Sequence, residues 1–289
     1  MSETETTNYF ASRLKSDGER FLPGVMEGVI ALEHNHRYRF ASQLVAGKDV
    51  LDIASGEGYG SAWLARYARS VVGVDISPES VTHAKARYGA GNLEYRVGSC
   101  SAIPLGAATV DAVVSFETIE HLHEHEEMMR EVKRVLRPGG VLVISSPDKF
   151  EYSDKPRFQN PFHVRELYRS EFSALLSQHF RQFALYGQRV LVGSVIFPEL
   201  ASTKISFERL GDPEDESSEK LPAPLYLIAI ASDGPLATSS GGVLEQPEGE
   251  PLPNSGHQQN ALATTLVRTI AAPNSQVLAD RLTDRKSVV

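Results

Sequence analysis

Five short runs of almost wholly apolar, largely β-branched residues recur between residues 48 and 146: KDVLDIA, SVVGVDI, NLEYRV, VDAVVSF and GVLVISS. All but NLEYRV lack the alternation of a half-exposed strand, which predicts strands covered on both faces. Helical stretches at 61–67, 78–88 and 125–136 separate them, with Ser77 as the N-cap of the second and Arg137-Pro138-Gly139-Gly140 ending the third. Strands and helices in this alternation specify an α/β, Rossmann-like doubly wound sheet, mostly parallel. Two further runs, at 180–187 and 223–231, read as an antiparallel edge hairpin and bring the sheet to seven strands.

The rest of the chain divides by composition. Residues 1–44 form an expected N-terminal helical cap segment, and 45–232 hold the sheet. On a helix, His34, Arg37 and Tyr38 share a face. That face either caps a ligand pocket or packs the helix on the sheet. Residues 233–260 contain five Gly, four Pro, no aromatic residue and no Lys or Arg, so they are expected to be a flexible linker. The tail 261–289 offers two short helical stretches too small to fold alone. No signal or transit peptide is readable, and no run reaches the roughly 18 apolar residues of a membrane span. The single cysteine, Cys100, excludes an intrachain disulfide and suits a cytoplasmic setting. With 29 Lys and Arg against 37 Asp and Glu, the net charge of -8 argues against a nucleic-acid partner.

The first strand runs into Ser55-Gly56-Glu57-Gly58-Tyr59-Gly60 and then a helix, so a ligand can approach the backbone closely there. Ser61 stands where the dinucleotide fingerprint has its third glycine, and Glu57 would repel a pyrophosphate. A ligand without phosphate and with a cationic amine fits better. Asp75 closes the second strand 19 residues after Gly56, placed to accept from a ribose diol. Glu57 and Asp75 have no packing purpose evident from sequence. Cys100 reads as a small buried hydrophobe, since nothing around it would favour a thiolate.

VLDIASGEGYG, VVGVDIS, VDAVVSFETIEHL and LRPGGVLVISSP, taken together, resemble the successive motifs of class I S-adenosylmethionine (SAM)-dependent methyltransferases of the type 11/23-like kind, over about residues 45–150. The resemblance implies that Asp52, Ala54, Gly56, Glu57, Gly58 and Gly60 border the methionine portion of SAM. It places Asp75 and Ile76 at the ribose and adenine, Ser99 and Cys100 against the adenine, and Ser115 and Phe116, at the end of the fourth strand, also among the cofactor-binding residues. Ser99 departs from the family, which often carries Asp there to accept from the adenine amine.

After the fourth strand, Glu117, Glu120 and His121 would converge on one face if the turn is helical. Such a set either holds a divalent cation or is an acidic helix start favoured by the macrodipole. The turn, with a later histidine at His163, is similar to the metal site of small-RNA 3′-terminal 2′-O-methyltransferases and partly to ubiquinone-pathway O-methyltransferases. By that resemblance Glu117, Glu120, His121 and His163 hold Mg²⁺ or Mn²⁺, and His121 or His163 takes the acceptor's proton. His123 and His125 are expected at the surface. GERFLP, EHNHRY, SFETIEHL and NPFHV together resemble bacterial methyltransferases found with, or fused to, glycosyltransferases of surface-polysaccharide assembly. That implies an O-methyltransferase acting on a sugar hydroxyl of a glycan or lipid-linked glycan, with a glycosyltransferase or assembly-complex partner engaged by the tail. The alternatives are small-molecule O- or N-methylation and a non-catalytic SAM-binding scaffold.

Overall fold

The structure, a computed structural model, describes residues 21–23, 28–191, 221, 223–236, 239 and 241–244. The described elements are α1 (Val29–Ser42), β1 (Asp49–Ile53), α2 (Tyr59–Leu64), β2 (Ser70–Asp75), α3 (Pro78–Arg87), β3 (Leu93–Val97), β4 (Val110–Ser115), α4 (His125–Val135), β5 (Leu136–Pro147), α5 (Arg169–His179), β6 (Gln182–Gln188) and β7 (Tyr226–Ser232). The strands lie in the order 3-2-1-4-5-7-6. β1 to β5 are parallel, and β7 enters antiparallel between β5 and β6. This is the seven-stranded Rossmann-like α/β sheet expected from sequence, with the later strand of its hairpin on the inside.

Period-two geometry explains why the strands read as continuous apolar runs. Leu51, Val113, Leu142, Ile144, Leu227 and Ala229 belong to one apolar layer, completed by Met128, Met129 and Val132 of α4 and by Phe172 and Leu176 of α5. The residues between them, Val50, Ala112, Val114, Val141, Val143, Ile228 and Ile230, belong to a second layer with Phe40, Ala41 and Leu64 of α1 and α2. Successive side chains point to opposite faces, so only a strand apolar at every position can serve both layers.

Local signals set the helix ends. The Ser77 side chain accepts from the Ser80 N–H at 3.2 Å and Pro78 opens α3, as the sequence indicated. His125 corrects an expectation. It is 4% exposed, because α4 buries His125, Met128, Met129 and Val132 at i, i+3, i+4 and i+7. Its Nε2 donates to the Ile119 carbonyl at 2.8 Å, and burial lowers its pKa. His123 is exposed, as expected.

The start of the expected linker also differs from its reading. Asp233 pairs with Lys133 and accepts from the Arg181 N–H. The Ser239 hydroxyl donates to Gln43 at 3.1 Å, and the Tyr186 hydroxyl donates to the Ser239 carbonyl at 3.0 Å. Leu236 packs on the second apolar layer. Composition misses this because two or three anchoring side chains suffice to dock a Gly- and Pro-rich strip. The tail 261–289 and residues 1–20 lie outside the described residues. Among the described residues no helix is long and apolar enough to cross a membrane.

Candidate cofactor and acceptor site

The carboxyl edge of β1 turns sharply, with Ala54, Gly56 and Gly58 at φ 61°, 55° and 98°. At Gly60 the constraint is space rather than dihedral, since a Cβ there would lie 2.0 Å from the Tyr38 ring. α1 therefore sits directly against the glycine loop. The Tyr38 hydroxyl reaches past it to Asp52 at 3.2 Å, and the Ser61 hydroxyl donates to the same carboxylate at 2.6 Å. Burial raises the Asp52 pKa to about 7 against these two bonds.

Asp75 and Glu57 both have the packing roles that the sequence did not reveal. Asp75 accepts from the Gly56 N–H at 2.8 Å and the Ser77 N–H at 2.9 Å, tying the loop to the start of α3. Glu57 turns its carboxylate back onto α3, toward His83 at 2.9 Å and Arg87 at 3.4 Å, and accepts from Tyr88 at 2.6 Å. Its charge is offset inside the protein, so the repulsion argument against a phosphate has no basis in this geometry. What Glu57 offers a ligand is its backbone.

The residues present nevertheless fit SAM. Each Asp75 oxygen has one backbone donor and keeps lone-pair capacity for a ribose diol. Ile76 beside it is 74% exposed, an apolar surface suited to a purine. The Ser99 hydroxyl bonds Ser101 at 2.9 Å. Cys100 is partly buried, packs on the first apolar layer, and has its thiol pKa raised by burial. Arg37, not assigned to the cofactor from sequence, is 1% exposed, and its Nη1 and Nη2 have no hydrogen-bond partner, with the Glu117 carboxylate 3.4 Å from Nη1. Its Nε donates to Gln188 at 2.7 Å and its guanidinium lies 4.2 Å from the centre of the Tyr226 ring. A buried guanidinium with donor capacity left at Nη1 and Nη2 suits a carboxylate such as that of the methionine end. Its placement on the face of α1 that carries Tyr38 was the only signal in the sequence.

At the end of β4 the structure separates the four expected metal ligands. Glu117 has φ 49° and stands before the short 3₁₀ turn Ile119–His121, so it does not share that turn's face. The Ser145 hydroxyl donates to its carboxylate at 2.9 Å, and Arg37 Nη1 lies 3.4 Å from the same oxygen. Glu120, His121 and His163 do converge, each offering one ligand atom within 4.8 Å of the others. Backbone bonds fix this convergence: the Glu120 carbonyl accepts from the Val164 and Arg165 N–H groups at 2.8 and 3.0 Å. Both Glu120 oxygens are buried without a hydrogen-bond partner, as is the Ser115 hydroxyl. Burial, and then the Glu117 charge, hold the Glu120 carboxyl well above the usual carboxylate range. Phe116 stands edge-on to Tyr38, ring centres 5.2 Å apart, and joins this end of the site to the glycine loop.

Residues 51–144 match the family described as Methyltransferase domain. A Mycolicibacterium smegmatis protein named a probable S-adenosylmethionine-dependent methyltransferase is 40% identical over 173 residues, covering 58% of this chain and 66% of that protein. A fatty-acid O-methyltransferase of the same organism is 30% identical over 176 residues, covering 55% of this chain and 61% of that enzyme. The chain thus spans just under two thirds of the length of these relatives. A SAM-dependent methyltransferase from Thermotoga maritima shares the fold, with a TM-score of 0.51 at 15% identity over 80% of this chain and 95% of that one.

Proposed function

We propose that the protein is an O-methyltransferase that moves the methyl group of SAM to a sugar hydroxyl of a glycan or lipid-linked glycan, assisted by a divalent cation. The observation that carries this reading is the Glu120 carboxylate, buried without a hydrogen-bond partner beside two imidazoles. A carboxylate in that position is costly unless a cation or proton answers it. Glu120, His121 and His163 would hold Mg²⁺ or Mn²⁺, with Glu117 kept back by Arg37 and Ser145. When bound, such a cation lowers the pKa of a coordinated hydroxyl and fixes its oxygen.

The chain's own residues do the rest. Asp75 accepts from the ribose diol, and Arg37 receives the carboxylate of the methionine end, so the methyl group faces the end of β4. His121 donates through Nδ1 to the Phe162 carbonyl at 3.0 Å, which makes Nε2 its basic nitrogen. His121 and His163 are the bases that can take the acceptor's proton. Their rings lie edge-on, 5.2 Å apart.

A second reading, methylation of a small molecule, is favoured by the fatty-acid O-methyltransferase relative. Turnover of labelled SAM against a panel of sugars, fatty acids and other small hydroxyl compounds separates the two. For the leading reading, exhaustive chelation should stop transfer and Mn²⁺ restore it, and a vicinal diol should outperform its deoxy analogue. Full activity in chelator, with no metal by elemental analysis, would sink the metal assignment.

A further inference from the structure

We infer that Glu166 is a positioning residue for His163: it holds the imidazole as the Nδ1–H tautomer and so makes Nε2 the nitrogen presented for a cation beside Glu120 and His121. The inference rests on the metal reading proposed above and adds a residue to it. His163 Nδ1 and Glu166 Oε1 are 2.5 Å apart, and both side chains are almost inaccessible, 6% and 8% exposed. A carboxylate at that nitrogen takes an N–H and leaves the lone pair on the opposite side of the ring.

Four further contacts fix the ring's plane and place. Tyr152 stacks on His163 with centroids 5.2 Å apart and an interplanar angle of 25°. The His163 N–H donates to the Asn160 carbonyl at 3.2 Å, and the next two N–H groups donate to the Glu120 carbonyl. Glu166 follows three residues after His163, so the positioning carboxylate and the imidazole belong to one short segment anchored on the turn that carries the other two ligands. The two histidines then have matching arrangements, His121 with a backbone carbonyl at Nδ1 and His163 with a carboxylate at Nδ1. Partners of this kind set ligand tautomer and basicity in metal sites, and their removal typically weakens metal binding by roughly 10–100-fold.

The test uses the full chain, with Mn²⁺ alone as the probe and SAM affinity as the check on folding. Wild-type protein, Glu166→Ala, Glu166→Gln and His163→Ala are titrated with Mn²⁺, and the His163 tautomer is read by ¹⁵N NMR without metal. Glu166→Ala should weaken Mn²⁺ binding by roughly 10–100-fold and release the Nδ1–H preference. Glu166→Gln, whose amide oxygen can still accept from Nδ1–H, should recover most of the affinity, and SAM binding should stay within about twofold in both variants. If the wild type and Glu166→Ala bind Mn²⁺ equally while His163→Ala does not bind, Glu166 has no positioning role and the metal reading stands. Absence of Mn²⁺ binding in the wild type overturns both.

Discussion

The two ends of the site treat their buried charges in opposite ways. Around the glycine loop every carboxylate is answered by the protein: Asp52 by Tyr38 and Ser61, Asp75 by the Gly56 and Ser77 N–H groups, Glu57 by Tyr88, His83 and Arg87. At the end of β4, Glu120 keeps two unanswered oxygens and Ser115 an unanswered hydroxyl, and Arg37 beside them has only the Glu117 carboxylate near Nη1 and no hydrogen-bond partner at Nη2. The satisfied end holds a shape. The other end is costly on the protein's own groups alone, which is the condition expected of groups whose partners arrive with ligands.

Mutations should therefore separate the two ends. The largest effect is expected from Glu120→Gln, which should cut methyl transfer on the order of a hundredfold or more while leaving SAM affinity and melting temperature unchanged, since the Glu120 carboxyl has no hydrogen-bond partner within the protein to lose. A clear drop in melting temperature would show that Glu120 is structural and erase the contrast. Asp75→Ala should do the reverse and cost both properties. SAM affinity should fall by about 2–4 kcal/mol, and stability by about 1–3 kcal/mol as two backbone donors lose their acceptor. Calorimetric titration and thermal melts measure the two costs separately, and a loss in only one would reassign the residue.

Gly60→Ala tests packing at the satisfied end. Its Cβ would need the space of the Tyr38 ring, so a loss of about 1–3 kcal/mol is expected in denaturant unfolding. Asp52 supplies a pH signature. Its folded pKa of about 7 lies above the ordinary aspartate value of 3.8, so the folded state binds the extra proton. On this group's account stability is highest at low pH, declines between about 3.8 and about 7, and is flat above. Asp52→Asn should flatten that decline, and an unchanged pH profile of stability would show that its two hydrogen bonds outweigh burial. The smallest effect concerns the edge of the domain. Truncation after Ser232 should lower the melting temperature by about 2–4 °C relative to truncation after Leu244, because it removes Asp233, Leu236 and Ser239 from their partners. Equal melting temperatures would return residues 233–244 to a linker role.

The sheet was legible because both of its faces are buried, and continuous apolar runs such as VLDI and VLVIS declare that without reference to anything distant. The Ser77 cap was legible for the same local reason. Charges were not, because their meaning depends on partners far along the chain: Arg37 meets Gln188, Glu57 meets His83 and Arg87, and Asp233 meets Lys133. The Glu117 reading assumed a helical turn running from 117 to 121. A positive φ at Glu117 and a 3₁₀ turn starting two residues later break that periodicity, and no residue type at these positions announces it. His125 was misplaced because the periodicity was counted from His121 rather than from the start of α4.

The contact of Tyr38 with Gly60 links three elements into a single unit of inheritance. A side chain at position 60 can be accommodated only if position 38 shrinks, and a smaller residue at 38 takes a donor from Asp52 and an edge contact from Phe116. Substitutions at 38, 52 and 60 are therefore expected to travel together among descendants of this chain, and a change at any one of them in isolation should be rare.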